Sequence, residues 1–195
     1  MTDVPETPKE FFTSYIPSRF QLFKGGLEGK SSSGSMVFRV VGAGEWSLRL
    51  KNGELEVAEG MQDDVIVQVS VKQDDFQPIF VQGAVMQEGQ PVKAEQQVMA
   101  FKALTADAER VKLVKNIQGT VAFVIDAGEK THTIAITPGS GAPKLDNAEC
   151  KLECKMNDFI DMQTGKANPM QLAMGGKMKI VGNAQIPMAL SGIFG

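Results

Sequence analysis

One histidine and two cysteines are the only residues of their kinds in the 195-residue chain. Any nucleophilic, redox or metal chemistry would have to be built around them. Cys150 and Cys154 lie in "AECKLECKM", which reads by parity. Ala148, Cys150, Leu152, Cys154 and Met156 fall on one side, and Glu149, Lys151, Glu153 and Lys155 on the other. This period of two predicts a half-buried strand. Residues i and i+4 of a strand are roughly 13 Å apart, too far for a disulfide between them. A metal site needs more ligands than these and His132 supply. Buried, reduced cysteines are the expectation, since free Cys packs as a small hydrophobe. His132, in "EKTHTIAI", alternates with Thr131 and Thr133 and has no evident nucleophile or acid assigned to it. A surface or hydrogen-bonded histidine is expected.

The remaining chemistry could come from carboxylates or from a glycine-rich loop. Asp63, Asp64, Asp74, Asp75, Asp158 and Asp161 are candidates. Asp74, Asp75 and Asp158 are explained by helix N-termini, where acids meet free amides and the helix dipole. Nothing demands acid–base catalysis. The stretch "TGKANPMQLAMGGKMKIVGN" (164–183) has glycines and lysines but fails as a phosphate loop. Gly176–Lys177 is followed by Met178, the residue five before Gly176 is Gln171, and a strand follows in place of a helix. No G-x-S-x-G, HExxH or CxxC motif occurs. The expectation is a non-enzyme with no cofactor and no metal.

These residues must be positioned by a mixture of helices and strands. "PKEFFTSYIPSRFQLF" has helical apolar spacing, with Pro17 expected to end or kink the helix. "MVFRVV", "EWSLRL", "ELEV" and "DVIVQVSV" read as strands, with Asn52–Gly53 as a hairpin turn. "DDFQPIFVQG" predicts a short helix with acidic N-cap candidates, limited by Pro78. Residues 84–97 read as a polar connector. A helix over about 106–116 follows, with Thr105 as its N-cap. "TVAFVI", "HTIAI" and "AECKLECKM" are strands, and "NDFIDMQTG" is a short helix stopped by Gly165. Asn168 and Pro169 open "MQLAM", which Gly175–Gly176 closes. "KMKIVG" alternates as an edge strand, and Pro187 is expected to open a last helix.

The order repeats. "AGE" occurs at 43–45 and 127–129, "DF" at 75–76 and 158–159, and the closing glycines are Gly83 and Gly165. Near-constant offsets in a shared order predict an internal duplication. The expected division is 1–90 and 91–195.

Net charge is −3, so no global basic field points to nucleic acid. The opening "MTDVPETPKE" is acidic and lacks the apolar run of a signal peptide. No apolar run approaches ~18 residues. A soluble, cytoplasmic protein is expected.

The methionines stand out. Met156, Met162, Met170, Met174, Met178 and Met188 all fall in the last quarter of the chain. Met is flexible and polarizable, and suits either core gaps or a cavity that accepts varied apolar shapes. The pattern leaves both readings open.

"GEWSLRLKNGELEV" resembles the strand pair of sterol-carrier-protein type-two domains. "NDFIDMQTGKANPMQLAMGGKMKIVGN" resembles that family's C-terminal signature: an acidic-Phe helix, Gly-Lys, Asn-Pro, a short apolar helix, Gly-Lys, a strand and Gly-Asn. The first copy lacks the Asn-Pro helix and the final strand. The resemblance implies an α+β fold, an antiparallel or mixed five-stranded sheet covered by helices, present here as two related repeats. It implies a hydrophobic tunnel for a sterol, fatty acid, fatty acyl-CoA or phospholipid, and no catalysis. Carried onto this chain, the tunnel wall would comprise Phe159, Met162, Met170, Leu172, Met174, Met178, Ile180, Met188 and Leu190. Phe123, Ile125, Ile134 and Ile136 would close it. Lys166, Lys177 and Lys179 are candidates for an anionic headgroup, although plain solvated lysines suffice to explain them. The expected partners are a lipid or fatty acyl ligand and a transient membrane surface. The alternative is a non-binding interaction module on the same duplicated fold.

Overall fold

A computed structural model describes residues 4–21, 24–25, 27–81, 103–163 and 166–194. The strands are β1 (Ser35–Val41), β2 (Gly44–Lys51), β3 (Glu54–Glu59), β4 (Val65–Lys72), β5 (Val121–Asp126), β6 (Thr131–Pro138), β7 (Cys150–Lys155) and β8 (Met178–Gly182). Helix α1 runs as Pro8–Glu10, a π-helical stretch Phe11–Tyr15, and Ile16–Gln21. Helix α2 is Gln73–Phe76 continued by π-helical Gln77–Val81. Helices α3 (Ala108–Lys115), α4 (Met156–Gln163), α5 (Pro169–Met174) and α6 (Gln185–Phe194) follow.

The strands form one eight-stranded sheet in the order β3-β2-β1-β4-β6-β5-β7-β8. Its logic is the period of two. In β4, Val65, Val67, Val69 and Val71 face one way, and Ile66, Gln68 and Ser70 the other. All are buried, as befits a central strand. One register row runs Trp46, Phe38, Val69, Ile136, Val121, Cys150 across the sheet, entirely apolar. This face meets the helices: α2 packs on β1, β4 and β6, and α4 on β5 and β7. The β2–β3 turn has Asn52 at φ 51° and Gly53 at φ 83°, the left-handed pair that the Asn-Gly dipeptide predicts.

Two sets of strands share one pairing scheme. β1 pairs antiparallel with β2 and parallel with β4; β5 pairs antiparallel with β6 and parallel with β7. Each parallel strand runs straight into a helix bearing Asp-Phe, Asp75–Phe76 in α2 and Asp158–Phe159 in α4. The sets then join, because β4 pairs antiparallel with β6 through Val67↔Pro138, Val69↔Ile136 and Val71↔Ile134. In place of a five-stranded sheet, one sheet therefore spans both sets. The expected division at residue 90, the connector over 84–97, and the stops at Gly83 and Gly165 lie outside the described residues.

Local departures from the sequence reading have local causes. Pro17 does not end α1. The π-helical stretch just before it widens the turn, which relieves the clash a proline ring makes with the carbonyl four residues back. Pro78 lies inside the π-helical part of α2 in the same way. Asp107, not Thr105, caps α3, accepting from Arg110 N at 2.8 Å. Lys72 holds the cap position of α2, which moves Asp74 and Asp75 into its first turn. Helix α6 begins at Gln185, two residues before Pro187.

Candidate functional site

The C-terminal end of the sheet places Phe123, Ile125, Leu152, Cys154 and Met178 side by side on the helix-covered face. Helix α4 lays Phe159 and Met162 over them, and the Phe159 ring meets Phe123 edge-on at 5.7 Å. Helix α5 contributes Leu172 and α6 contributes Leu190 to the same core. Of the residues carried over from the family resemblance, Phe123, Ile125, Ile134, Phe159, Met162, Leu172, Met178 and Leu190 are buried there, and Ile136 packs against it half-buried. These are brought together.

Four are not. Met170, Met174 and Met188 are 54%, 83% and 60% exposed. The spacing of Met170, Met174 and Met178 suggests a single wall, but a helix turns residues i and i+4 to one side and i+2 toward the other. Leu172 takes the inward side of α5, so its neighbours Met170 and Met174 face out. Ile180 points to the core face, opposite Leu152, yet is 42% exposed because β8 is the sheet edge.

The lysines are exposed. Lys177 Nζ lies 3.5 Å from Asp158 Oδ1 and Lys179 Nζ 3.5 Å from Glu153 Oε2. Both lysines line a depression of about 360 Å³ with Val124, Asp126, Thr131 and Glu153. The strand residues among these alternate onto the sheet face away from the helices. Cys154, Lys155 and Gly176 also line it, so its wall is part charged and part apolar.

The chemistry-bearing residues are spoken for. Cys150 and Cys154 are free and buried. Burial pushes the Cys154 thiol up to about 11, with Asp158 adding to the rise, and raises the Cys150 thiol in the same direction. Thiols held protonated are inert. His132 is buried, and its Nδ1 lies 2.9 Å from Asp75 Oδ1 while Asp75 Oδ2 accepts from Thr133 N at 3.2 Å. Asp75 is thus more than a helix-start acid; nothing in its spacing from His132 in the chain points to the pairing. Among the described residues no group of three or more His, Cys, Asp or Glu could hold a metal ion, and no helix is long and apolar enough to cross a membrane.

The sequence reading also leaves out what fills the other end of the sheet. There the apolar space is taken by rings. Phe12 stacks on Trp46 at 5.0 Å and meets Phe38 at 5.0 Å; Phe11 meets Phe76 at 5.3 Å, which stacks on Phe80 at 5.3 Å. Phe38 and Phe76 hold the scheme positions that Phe123 and Phe159 hold at the C-terminal end.

The chain is similar to sterol carrier proteins over part of its length. The chain is 33% identical over 94 residues to "Sterol carrier protein 2" of Homo sapiens, covering 45% of this chain and 17% of that protein. It is 32% identical over 92 residues to that of Gallus gallus, covering 44% and 17%. The chain therefore spans under a fifth of the length of these relatives. Among solved structures, apo sterol carrier protein 2 from Yarrowia lipolytica is 21% identical, with a TM-score of 0.36 over 61% of this chain and 98% of that one. The Aedes aegypti sterol carrier protein 2 complex with palmitate is 13% identical, with a TM-score of 0.32 over 46% and 96%. Residues 100–195, which carry the soft core of β5, β7 and β8 and the helices upon it, match the SCP-2 sterol transfer family, and this part of the chain belongs to that family.

Proposed function

We propose that the protein is a non-catalytic lipid carrier that holds one sterol or acyl chain between the β5–β7–β8 face and helices α4 and α5. The observation that carries this reading is the contrast between the two ends of one sheet. The N-terminal end is packed with rigid rings in mutual contact. The C-terminal end has the Phe123–Phe159 pair and is otherwise lined by Met162, Met178, Leu152, Leu172 and Cys154. Flexible thioether and aliphatic side chains can part around a guest where interlocked rings cannot. Ile180, on the same face and half open at the sheet edge, marks the way in. The family's name, sterol transfer, agrees with this choice.

The energetics are adequate. Covering ~400 Å² of apolar ligand at ~25 cal/mol/Å² yields on the order of 10 kcal/mol gross, before the costs of association. The shared pairing scheme supports reading the chain as two copies of one unit, 1–90 and 91–195, of which only the second keeps the binding role. A second reading, a non-binding interaction module, draws on the close burial of Phe159, Met162 and Met178. Native mass spectrometry and titration with fluorescent fatty acid and sterol separate the two. Saturable binding of one equivalent is expected; neither co-purified lipid nor saturable binding would leave the interaction module standing.

A further inference from the structure

The two outer strands of the sheet carry opposite charge. At one edge β3 bears Glu54, Glu56 and Glu59 and no basic residue; at the other β8 bears Lys179 and no acid. The side chains of Glu54, Glu56 and Lys179 are all more than half exposed. Among the described residues no backbone group outside β2 bonds to Glu54–Glu59, and none outside β7 bonds to Met178–Gly182. Charge on an edge strand commonly serves to repel a further strand. Here that reading covers half of the pattern: glutamates keep one β3 from another β3, but nothing of the kind keeps β3 from β8.

Strand direction and phase allow these two edges to join. Following the pairings across the sheet, β3 runs parallel to β1, β4, β5 and β7, and β8 runs against them. A second copy set beside the first in the same orientation therefore brings its β3 antiparallel to β8. Gly60 N donates to Glu45 O at 2.8 Å and Asn183 N to Glu149 O at 2.9 Å, each continuing the register of its ladder. Hydrogen-bonded pairs recur at every second residue. Leu55, Val57 and Glu59 thus turn their backbone groups away from β2, and Met178, Ile180 and Gly182 turn theirs away from β7. The same residues lie on the helix-covered side of the sheet.

We propose that β8 of one copy pairs with β3 of the next, Ile180 opposite Leu55 and Met178 opposite Val57. On the helix side the joined row Leu50, Leu55, Ile180, Leu152 is apolar throughout. On the other side Lys179 falls opposite Glu56, and the row Arg49, Glu56, Lys179, Glu153 alternates in sign across four strands. Lys179 already lies 3.5 Å from Glu153, and Glu56 3.5 Å from Lys51. The joint gives each a second neighbour of opposite sign. Apolar and opposite-charge cross-strand pairs both stabilise a sheet. A head-to-tail joint leaves a free β3 and a free β8 at the ends of every assembly, so growth does not stop at two copies. The joint covers Ile180, the way in on the lipid-carrier reading, but does not depend on that reading.

Sedimentation velocity of the full chain tests this. A joint one strand long is small, so association is expected between ~10 μM and ~1 mM, with the average mass passing that of a dimer. Ile180→Pro removes a donor that points away from β7 and should abolish assembly. Glu56→Lys and Lys179→Glu should each weaken it about tenfold by setting like charges opposite one another. Mixed in equal amounts, those two variants should assemble again, because lysine on one β3 meets glutamate on the other β8 and the alternate joint is wild type. A variant that had merely misfolded would not recover on mixing. A wild-type chain that stays monomeric up to ~1 mM overturns the proposal. So does a mixture that fails to assemble. Assembly that stops at a dimer and ignores Glu56→Lys overturns it too, since β8 then pairs with a second β8. Sedimentation reads assembly with or without lipid, so its outcome leaves the carrier reading to its own titration.

Discussion

Asp75 Oδ1 and His132 Nδ1 lie 2.9 Å apart, both side chains more than nine-tenths buried, and they tie α2 of the first strand set to β6 of the second. The same carboxylate accepts from Thr133 N, so it satisfies two groups at the seam.

Removing one partner leaves the other buried and unsatisfied. Asp75→Ala should therefore destabilise the protein by about 3 kcal/mol, and His132→Ala by about 2 kcal/mol. The double variant should cost less than the sum, because the lone partner is then gone. Urea denaturation of the three variants measures this; additive losses would mean the two groups act independently.

Cys154 brings a dependence on alkaline pH. Its thiol is raised by burial from the ordinary 9.0 to about 11 in the folded chain. The unfolded chain ionises first, so this contribution is fully present below pH ~9 and is lost as pH rises through about 11. Wild-type stability should fall across that window more steeply than that of Cys154→Ala. A thiol-specific disulfide reagent should modify neither Cys150 nor Cys154 in the native protein at neutral pH, and both after unfolding.

Trp46, the only tryptophan, stacks on Phe12 at the ring-filled end. Lipid bound at the other end should leave its emission unchanged while one equivalent is taken up. Phe12→Ala opens a void beside Trp46, should cost about 3–5 kcal/mol, and should make Trp46 emission respond to lipid. A wild-type tryptophan signal that saturates with lipid would place a guest among the rings.

Ile180 is half open, so Ile180→Asp should be tolerated by the fold, changing stability by under about 1 kcal/mol. It should weaken fatty-acid binding at least about tenfold by setting a charge at the mouth of the apolar face. Unchanged affinity in the titration would move the entrance elsewhere.

Strands were the most legible part of this chain. The parity of "AECKLECKM" and the Asn52–Gly53 turn are local patterns, and local patterns survive folding. The matching "DF" helices were legible for the same reason. What did not follow was long-range. The β4–β6 pairing joins residues some seventy apart, as in Val69↔Ile136, and no local rule names a partner across that distance. Met174 is another case. Its type suggested a wall residue, but Leu172 had already taken the inward side of a helix less than two turns long. Buried aromatic filling at Phe11 and Phe12 was equally unreadable, since helical spacing marks an apolar face and not the space it occupies.

The β4–β6 seam also sets an order of events during synthesis. β4 finds β1 as soon as both have left the ribosome, for they lie within the first 72 residues. Its second edge, with Val67, Val69 and Val71, has no partner until Pro138 has been made. Throughout that interval the nascent chain carries an unpaired valine-rich edge, the kind of surface on which chains join one another. The pairing that completes the mature sheet is thus the step for which the growing chain must wait, and during the wait its own neighbours on the polysome are the competing strands.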